Sequence, residues 1–76
     1  MGKSLKAVWT SDAPAHEVAE EISGRKIAGG AGLDEFDGNG RTVCSWAWGR
    51  GCIQDENGRT IAVMERRDGR LLIFEC

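Results

Sequence analysis

The sequence has no apolar run of the roughly 18 residues that a membrane-spanning helix needs, and its first residues include no apolar stretch typical of a signal peptide. It also has no C-x-x-C pair. Its three cysteines, Cys44, Cys52 and Cys76, are an odd number, whereas secreted disulfide scaffolds usually carry a denser, even set. We therefore expect reduced thiols, no membrane contact and a cytoplasmic location.

Residues that carry chemistry are few and poorly spaced. His16 is the single histidine, and its distances in sequence from the cysteines match no zinc knuckle or ribbon. A cysteine nucleophile needs a base and an orienting group, and Cys44 has the pattern of a core residue. The glycine run at 29–32 follows a helix and lacks the G-K-S/T ending of a phosphate loop. An EF-hand register from Asp37 puts Arg41 and Trp48 at ligand positions. The sequence therefore predicts no enzyme, no cofactor and no metal.

The size of the chain predicts a single domain over residues 1–76, because 76 residues leave room for one core. A hydrophobic fraction of 41% with 29% charged residues is ordinary for a globular protein. The formal charge of −2 is too small for electrostatic capture of nucleic acid by the whole molecule. The charge is uneven, since residues 41–76 carry six basic residues, all arginine, against five acidic ones.

The clearest predicted element is a helix. Ser11-Asp12 supplies an N-cap oxygen, Pro14 fits the first turn, and Gly24 suits the C-terminal end. Between them, apolar residues recur at helical spacing and form one stripe, which consists of Ala15, Val18, Ala19 and Ile22. Before the helix, alternation over residues 4–10 predicts a first strand.

The remaining chain predicts one long loop and three strands. Residues 27–40 are rich in glycine and acidic groups, and we interpret them as a long loop, either throughout or with a short extended piece at 26–28. We expect residues 29–40 to be more mobile than the rest of the domain. Strands are expected over 41–53, interrupted at Gly49-Arg50-Gly51, and over 59–66 and 70–76, with turns at Asn57-Gly58 and Asp68-Gly69. The predicted fold class is α+β, in the order β-α-β-β-β, with one helix packed on a mostly antiparallel four-stranded sheet.

Such a sheet has two apolar faces. Counting outward from the Asp68-Gly69 turn pairs Val63 with Phe74 on one face and Met64 with Ile73 on the other. One short helix covers a single face, so one of the two is left without a helix. Two alternatives remain for the uncovered face. Either the long loop and the tryptophans cover it, or it is an exposed apolar patch that binds a partner or a second copy of the chain, which would give a homodimer.

Candidate interface residues lie close together at Trp46, Trp48 and Arg50, because tryptophan and arginine are the residue types that dominate interface hot spots. Aromatic residues beside arginine also stack on single-stranded bases, and both tryptophans could instead fill the core. We place the binding surface on the hairpin tips and the sheet side away from the helix. Its predicted partner-binding residues are Arg50, Met64, Arg66, Arg67, Arg70, Leu71 and Ile73, with Trp46 and Trp48 as aromatic contacts.

In length and predicted element order, the chain resembles small stand-alone inhibitors encoded by phages and mobile elements, including anti-CRISPR proteins. The resemblance is one of architecture: a strand from Ser4, a helix from Asp12, and hairpins at Asn57-Gly58 and Asp68-Gly69. It carries no functional residues over. It implies a small non-enzymatic inhibitor that blocks a larger host protein or complex by direct contact. The alternative is a nucleic-acid-binding module that uses the sheet face and its arginine-rich hairpins; the pI of about 5.3 argues against it.

Overall fold

A computed structural model of the chain describes residues 7–11 and 14–76. The predicted N-cap at Asp12 and the predicted strand start at Ser4 lie outside these ranges. In chain order the elements are β1 (Ala7–Ser11), α1 (Ala15–Ser23), β2 (Ile27–Ala31), β3 (Asp34–Asp37), β4 (Thr42–Ala47), β5 (Arg50–Gln54), β6 (Thr60–Arg67) and β7 (Arg70–Glu75). One antiparallel sheet contains all seven strands in the order β1-β7-β6-β5-β4-β3-β2. Strands β2 to β7 thus form a meander, and β1 joins it beside the last strand.

The prediction of a four-stranded sheet in β-α-β-β-β order is wrong, and the described chain is mostly β-structure. Residues 27–40 are not a loop: they form β2 and β3, which pair with each other and extend the sheet beyond β4. A backbone tied into a ladder in this way is not expected to be the mobile part of the domain. The predicted strand over 41–53 is two strands, β4 and β5, which are joined by a tight turn at Trp48-Gly49.

The β3–β4 hairpin forms because its turn supplies its own hydrogen-bond partners. Asp37 Oδ1 accepts hydrogen bonds from the backbone N–H groups of Asn39 at 2.8 Å and Arg41 at 3.0 Å. Gly40 takes the left-handed conformation with φ of 76°. A short carboxylate that binds its own turn and a glycine in the left-handed region suit a three-residue hairpin loop.

The β5–β6 hairpin repeats this turn with the same sequence pattern, Asp-x-Asn-Gly-Arg. Asp55 Oδ1 accepts hydrogen bonds from the N–H groups of Asn57 at 2.8 Å and Arg59 at 2.9 Å, and Gly58 has φ of 81°. The Asn57-Gly58 turn was predicted. The repeated pattern is therefore the signal in the sequence that identifies the β3–β4 hairpin as well.

Helix α1 forms where the apolar stripe predicts it. The N-cap residue is Pro14, which was expected in the first turn, so the helix begins later than the predicted cap at Ser11-Asp12 implies. Gly24 ends the helix in the left-handed conformation, with its N–H bonded to the Glu20 carbonyl at 2.9 Å. Val18 and Ala19 are buried against the sheet. This helix, the one in the described ranges, is too short to cross a membrane.

The core lies between α1 and one side of the sheet, which we call the helix face. Its fully buried members are Val18, Ala19, Val43, Cys44, Ile53, Ala62, Met64, Leu71 and Ile73. We call the other side the open face. Buried and half-buried residues alternate along β7, as expected when one side of a strand packs on the core. The cross-strand neighbours Ser45, Cys52, Val63 and Phe74 lie on the open face.

The register predicted for the β6–β7 hairpin is confirmed. Val63 pairs with Phe74 and Met64 pairs with Ile73. Met64 and Ile73 are fully buried on the helix face, whereas Val63 and Phe74 are half-buried on the open face. Of the two sides that the sequence left as alternatives, the Val63–Phe74 side is therefore the one that α1 leaves free.

Candidate functional site

The predicted partner-binding residues divide into a buried group and an exposed group. Met64, Leu71 and Ile73 are completely buried in the core. The prediction that these three residues lie on the sheet side away from the helix is therefore wrong. The sequence left open which face the helix covers, and α1 covers theirs. Trp46 is half-buried and packs against the core, opposite Gly51, where an added Cβ would lie 2.8 Å from the Trp46 ring. Trp46 thus has the core-filling role, which was one of the three interpretations that the sequence left open.

The four predicted arginines are exposed and lie together at one end of the sheet; they are Arg50, Arg66, Arg67 and Arg70. Antiparallel strands reverse direction at each turn, so the turns at Gly32-Leu33, Trp48-Gly49 and Asp68-Gly69 share this end. A hydrogen bond of 3.1 Å from the Arg66 N–H to the Gly49 carbonyl joins two of them. We call this region the Trp48 end. That its arginines bind a partner stays a prediction.

Trp48 is the most exposed large apolar residue described, with 99% of its surface accessible. It has φ of 57°, and Gly49, which follows it, has φ of 76°. Two left-handed residues in succession make the two-residue turn that matches strand twist, and Asn-Gly or Asp-Gly normally occupy it. A bulky side chain is an outlier in the left-handed region. Trp48 is therefore held in an unfavourable backbone conformation without packing contacts that would offset it.

The equivalent turn at the end of β6 has the residues expected for it. Asp68 has φ of 52° and Gly69 has φ of 78°, so both turns use the same pair of left-handed residues. Aspartate tolerates this conformation because its short polar side chain bonds locally. The pair shows that this fold forms such a turn with ordinary turn residues, so the turn itself does not require tryptophan.

A shallow groove of about 590 Å³ lies on the open face beside the Trp48-Gly49 turn. Its surface is mostly apolar, and its lining residues are Leu33, Asp34, Ser45, Trp46, Ala47, Arg50, Gly51, Cys52 and Val63. Leu33 is 63% exposed at its edge. A smaller depression of about 180 Å³ beside it adds Glu65 and Phe74. Leu33, Cys52 and Val63 were not predicted as site residues. The last two could have been found from the strand register, which pairs Cys52 with Val63 and Val63 with Phe74 on the open face.

At the Trp48 end of the open face, the ion pairs of the described arginines are formed with a single carboxylate. One carboxylate, Glu65, lies 2.9 Å from Arg67 Nη2 and 3.4 Å from Arg50 Nε. Arg67 and Arg70 are directly opposite each other across the β6–β7 ladder. Like charges at directly opposite positions of a sheet are destabilising. Within the described residues Arg70 has no ion-pair partner, and Asp68, in the turn that joins the two arginines, forms an ion pair with neither of them.

The opposite end of the sheet, which we call the Arg25 end, is held together by one buried side chain. Arg25 Nη1 donates to Asp37 Oδ2 at 2.8 Å. Its Nη2 donates to the carbonyls of Thr42 and Asp55, each at 3.1 Å, and to that of Gln54. Arg25 is 9% exposed. One guanidinium thus joins the two Asp-x-Asn-Gly-Arg turns, which is a structural role.

The surroundings of Asp37 favour its charged form. The N–H of Arg41, then that of Asn39 and the Arg25 guanidinium, hold the pKa of the Asp37 carboxyl below its usual value, against an opposing contribution from burial. The carboxylate is accordingly a fixed part of the turn and of the ion pair.

Other reactive groups lie apart from one another. Burial, with a contribution from the nearby Glu35 carboxylate, raises the pKa of the Cys44 thiol to about 12, so it is a poor nucleophile and a poor metal ligand. His16 is exposed on α1. The described ranges contain no group of three or more His, Cys, Asp or Glu side chains placed to hold a metal ion.

What the described surface offers is an exposed tryptophan, an apolar groove and several arginines at one end of the sheet. Such a surface suits contact with another molecule. No protein-family model, no curated protein and no solved structure matches this chain.

Proposed function

We propose that the protein is a small non-enzymatic binder that docks on another protein through the Trp48 end and the open face. The observation that carries this proposal is Trp48. Its side chain is 99% exposed and its backbone is in the left-handed region, so it contributes nothing to packing and disfavours the turn. A residue that folding does not explain is accounted for by burial against a partner, and tryptophan is enriched among hot-spot residues.

The surroundings of Trp48 support the same function. The groove beside it supplies apolar area, and the arginines around it supply planar donors that bond carboxylates and carbonyls. Protein interfaces combine these parts: an apolar centre enriched in aromatic residues and arginine, with a polar rim. The core residues Met64, Leu71 and Ile73 have no part in this proposal.

The narrower proposal is that the partner is a larger host protein or complex, that the protein inhibits it by occupying its surface, and that this occurs in the cytoplasm. The small size and the separation of the reactive side chains support contact rather than catalysis. The resemblance to phage-encoded and anti-CRISPR inhibitors rested on the β-α-β-β-β order. Because that order is wrong, the phage and anti-CRISPR part of the proposal rests on small size alone.

The test compares the wild type with Trp48→Asn. Asparagine suits the first position of this turn, so the variant should fold at least as well. Both proteins are immobilised and exposed to a bacterial lysate, and the proteins they retain are titrated against each. We expect Trp48→Asn to lose tenfold or more in affinity for a partner that the wild type retains. Equal affinity of the two proteins for every retained partner would overturn the proposal.

The matched control is charge reversal on the exposed side of α1, at Glu17 and Glu21. Both are exposed and lie on the opposite layer from the open face. Glu20 is unsuitable for this purpose, because its carboxylate accepts a hydrogen bond of 2.9 Å from the Ile27 N–H. Glu17→Lys/Glu21→Lys should bind as the wild type does, which separates a loss at the Trp48 end from a general effect of surface mutation.

A second candidate function is binding of single-stranded nucleic acid, and the proximity of Trp48 to exposed arginines favours it. Binding would follow the salt concentration steeply, since phosphates would release counterions. Titration with oligo(dT) at two salt concentrations distinguishes this function from protein binding.

A further inference from the structure

We infer that the partner segment is acidic and carries a large apolar side chain: its carboxylates bind Arg67 and Arg70, and its apolar side chain fills the groove. This inference rests on the proposed function and names the partner's chemistry. It starts from the Arg67–Arg70 pair, in which two like charges lie directly opposite on one strand ladder.

The Arg67–Arg70 pair is not explained by folding. Opposite positions on neighbouring strands stabilise a sheet when their charges differ and destabilise it when they are alike. Glu65 offsets part of this charge, but its carboxylate is shared between Arg67 and Arg50. An added carboxylate would therefore remove a repulsion as well as form new bonds. Guanidinium groups bind carboxylates through two parallel hydrogen bonds, which adds geometric specificity.

The arginine pair and the groove lie on the same face. Val63, Glu65 and Arg67 alternate along β6, and alternate residues of a strand share a side of the sheet. Val63 lines the groove, and Arg67 is four residues further along the strand. At a rise of roughly 3.3 Å per residue, the two are about 13 Å apart. An extended partner segment running along β6 would therefore carry its acidic residues about four positions from its apolar one.

The groove favours an apolar side chain over a nucleic acid base or a phosphate chain. Its lining is mostly apolar. Asp34 lies on β3, two strands away from Arg50 on β5, and would repel a continuous phosphate backbone there. Its volume of about 590 Å³ is within the range of sites that bury small apolar groups. Negative charge is therefore favoured at the arginine pair and disfavoured at the far side of the groove, which suits a short acidic segment better than a polyanion.

The test selects binders from a library of random 12-residue peptides displayed against the full-length protein. We expect enriched peptides to contain aspartate or glutamate about four positions from a phenylalanine, tryptophan or leucine. Their affinity should fall tenfold or more for Arg67→Ala/Arg70→Ala and for Cys52→Trp, which fills the groove. Arg67→Lys/Arg70→Lys should keep part of the binding, because charge is retained and the paired hydrogen bonds are not. A thermal melt of each variant shows that it is folded, and Arg67→Ala/Arg70→Ala should melt no lower than the wild type.

Each other outcome overturns the inference. Enrichment of basic peptides, acidic peptides that bind the Arg67→Ala/Arg70→Ala variant equally well, or no enrichment would show that the surface does not select acidic segments. A concentration-dependent dimer that disappears with Val63→Lys would show that a second copy occupies the face. In these cases the proposed function is still judged by the Trp48→Asn comparison. Binding of oligo(dT) alone, weakened by the same arginine variants, would overturn both.

Discussion

The two ends of the sheet use similar hairpins under different constraints. At the Arg25 end, each turn has a carboxylate that bonds its own backbone and a glycine in the left-handed position, and the buried arginine has a buried acid beside it. At the Trp48 end, a tryptophan occupies a left-handed position and two arginines face each other. Where a sequence departs from the residue preferences of its turns and strands in one region only, that region is usually a functional site.

The largest effect is expected from removing the constraint at the Arg25 end. Arg25→Ala leaves Asp37 without its cation and three carbonyls without a donor, so we expect about 3 kcal/mol or more of unfolding free energy to be lost. The exposed Arg59→Ala is the control and should change stability by no more than about 0.5 kcal/mol. Urea denaturation measures both. A loss under about 1 kcal/mol for Arg25→Ala would show that this end does not depend on the arginine.

Exchanging residue types between the two matching turns at the Trp48 end tests whether Trp48 strains its turn. Trp48→Asn should raise the unfolding free energy by about 1 kcal/mol, because it relieves the left-handed strain of a bulky residue. Asp68→Trp should lower it by a similar amount, because it introduces the same strain in the matching turn. Denaturant midpoints of the two variants are the readout. If Trp48→Asn destabilised the protein, Trp48 would have a structural role and the main support for the binding site would be lost.

The pH dependence of stability tests the Arg25–Asp37 ion pair through its acidic partner, Asp37. Because the folded-state pKa of Asp37 is below 3.8, the ordinary value for an aspartate, its charge stabilises the fold above pH 3.8, and that contribution is lost as the pH falls through the folded-state pKa. Asp37→Asn should be less stable at neutral pH and should lose less stability than the wild type on acidification. Asp55→Asn changes a carboxylate that accepts the same two turn hydrogen bonds but forms no ion pair with Arg25 among the described residues, so this variant should keep the Asp37 contribution. Melting curves between pH 7 and pH 2 give the comparison.

The smallest effect concerns the three thiols, and it compares the two faces of the sheet. Because the pKa of Cys44 is raised to about 12, almost none of it is thiolate at pH 8, and it should resist a maleimide in the folded protein. Cys76 is exposed and Cys52 lines the groove, so both should react. Mass spectrometry after a timed reaction gives the order. Native-state labelling of Cys44 as fast as Cys76 would place it outside the core.

The sequence predicted the elements whose signals are local. The stripe through Val18 and Ala19 located the helix, and the Asp68-Gly69 turn determined the register of β6 and β7. Strands β2 and β3 were missed because Ala28, Gly29 and Gly30 have low strand propensity, and their neighbours in the ladder stabilise them instead. The Asp-x-Asn-Gly-Arg pattern at 37–41 also resembles the start of a calcium loop, and this resemblance conceals the hairpin turn that the segment forms.

The binding surface was assigned partly to the wrong face for a non-local reason. Alternation cannot show which side of a sheet a helix covers when both sides carry apolar residues. An irregularity in β4 also breaks the alternation from which the buried side would be predicted. Val43 and Cys44 are both buried, because the register shifts between Glu35 and Phe36 on the neighbouring strand. Arg66, Arg67 and Arg70 flank the Asp68-Gly69 turn, which the sequence identifies, whereas the Trp48-Gly49 turn beside Arg50 was not predicted.

The pairing of β1 with β7 has a consequence for how the chain folds. Every other ladder in the sheet joins strands that follow one another, so six strands can assemble hairpin by hairpin with short loops to close. The β1–β7 ladder instead joins residues such as Ala7 and Phe74, at nearly opposite ends of the chain. Contacts of such long sequence separation form late, because their loop-closure entropy is offset only once the rest of the sheet is in place. We therefore expect β1 to dock onto a preformed meander, and the amides of this ladder to exchange with solvent before those between β5 and β6.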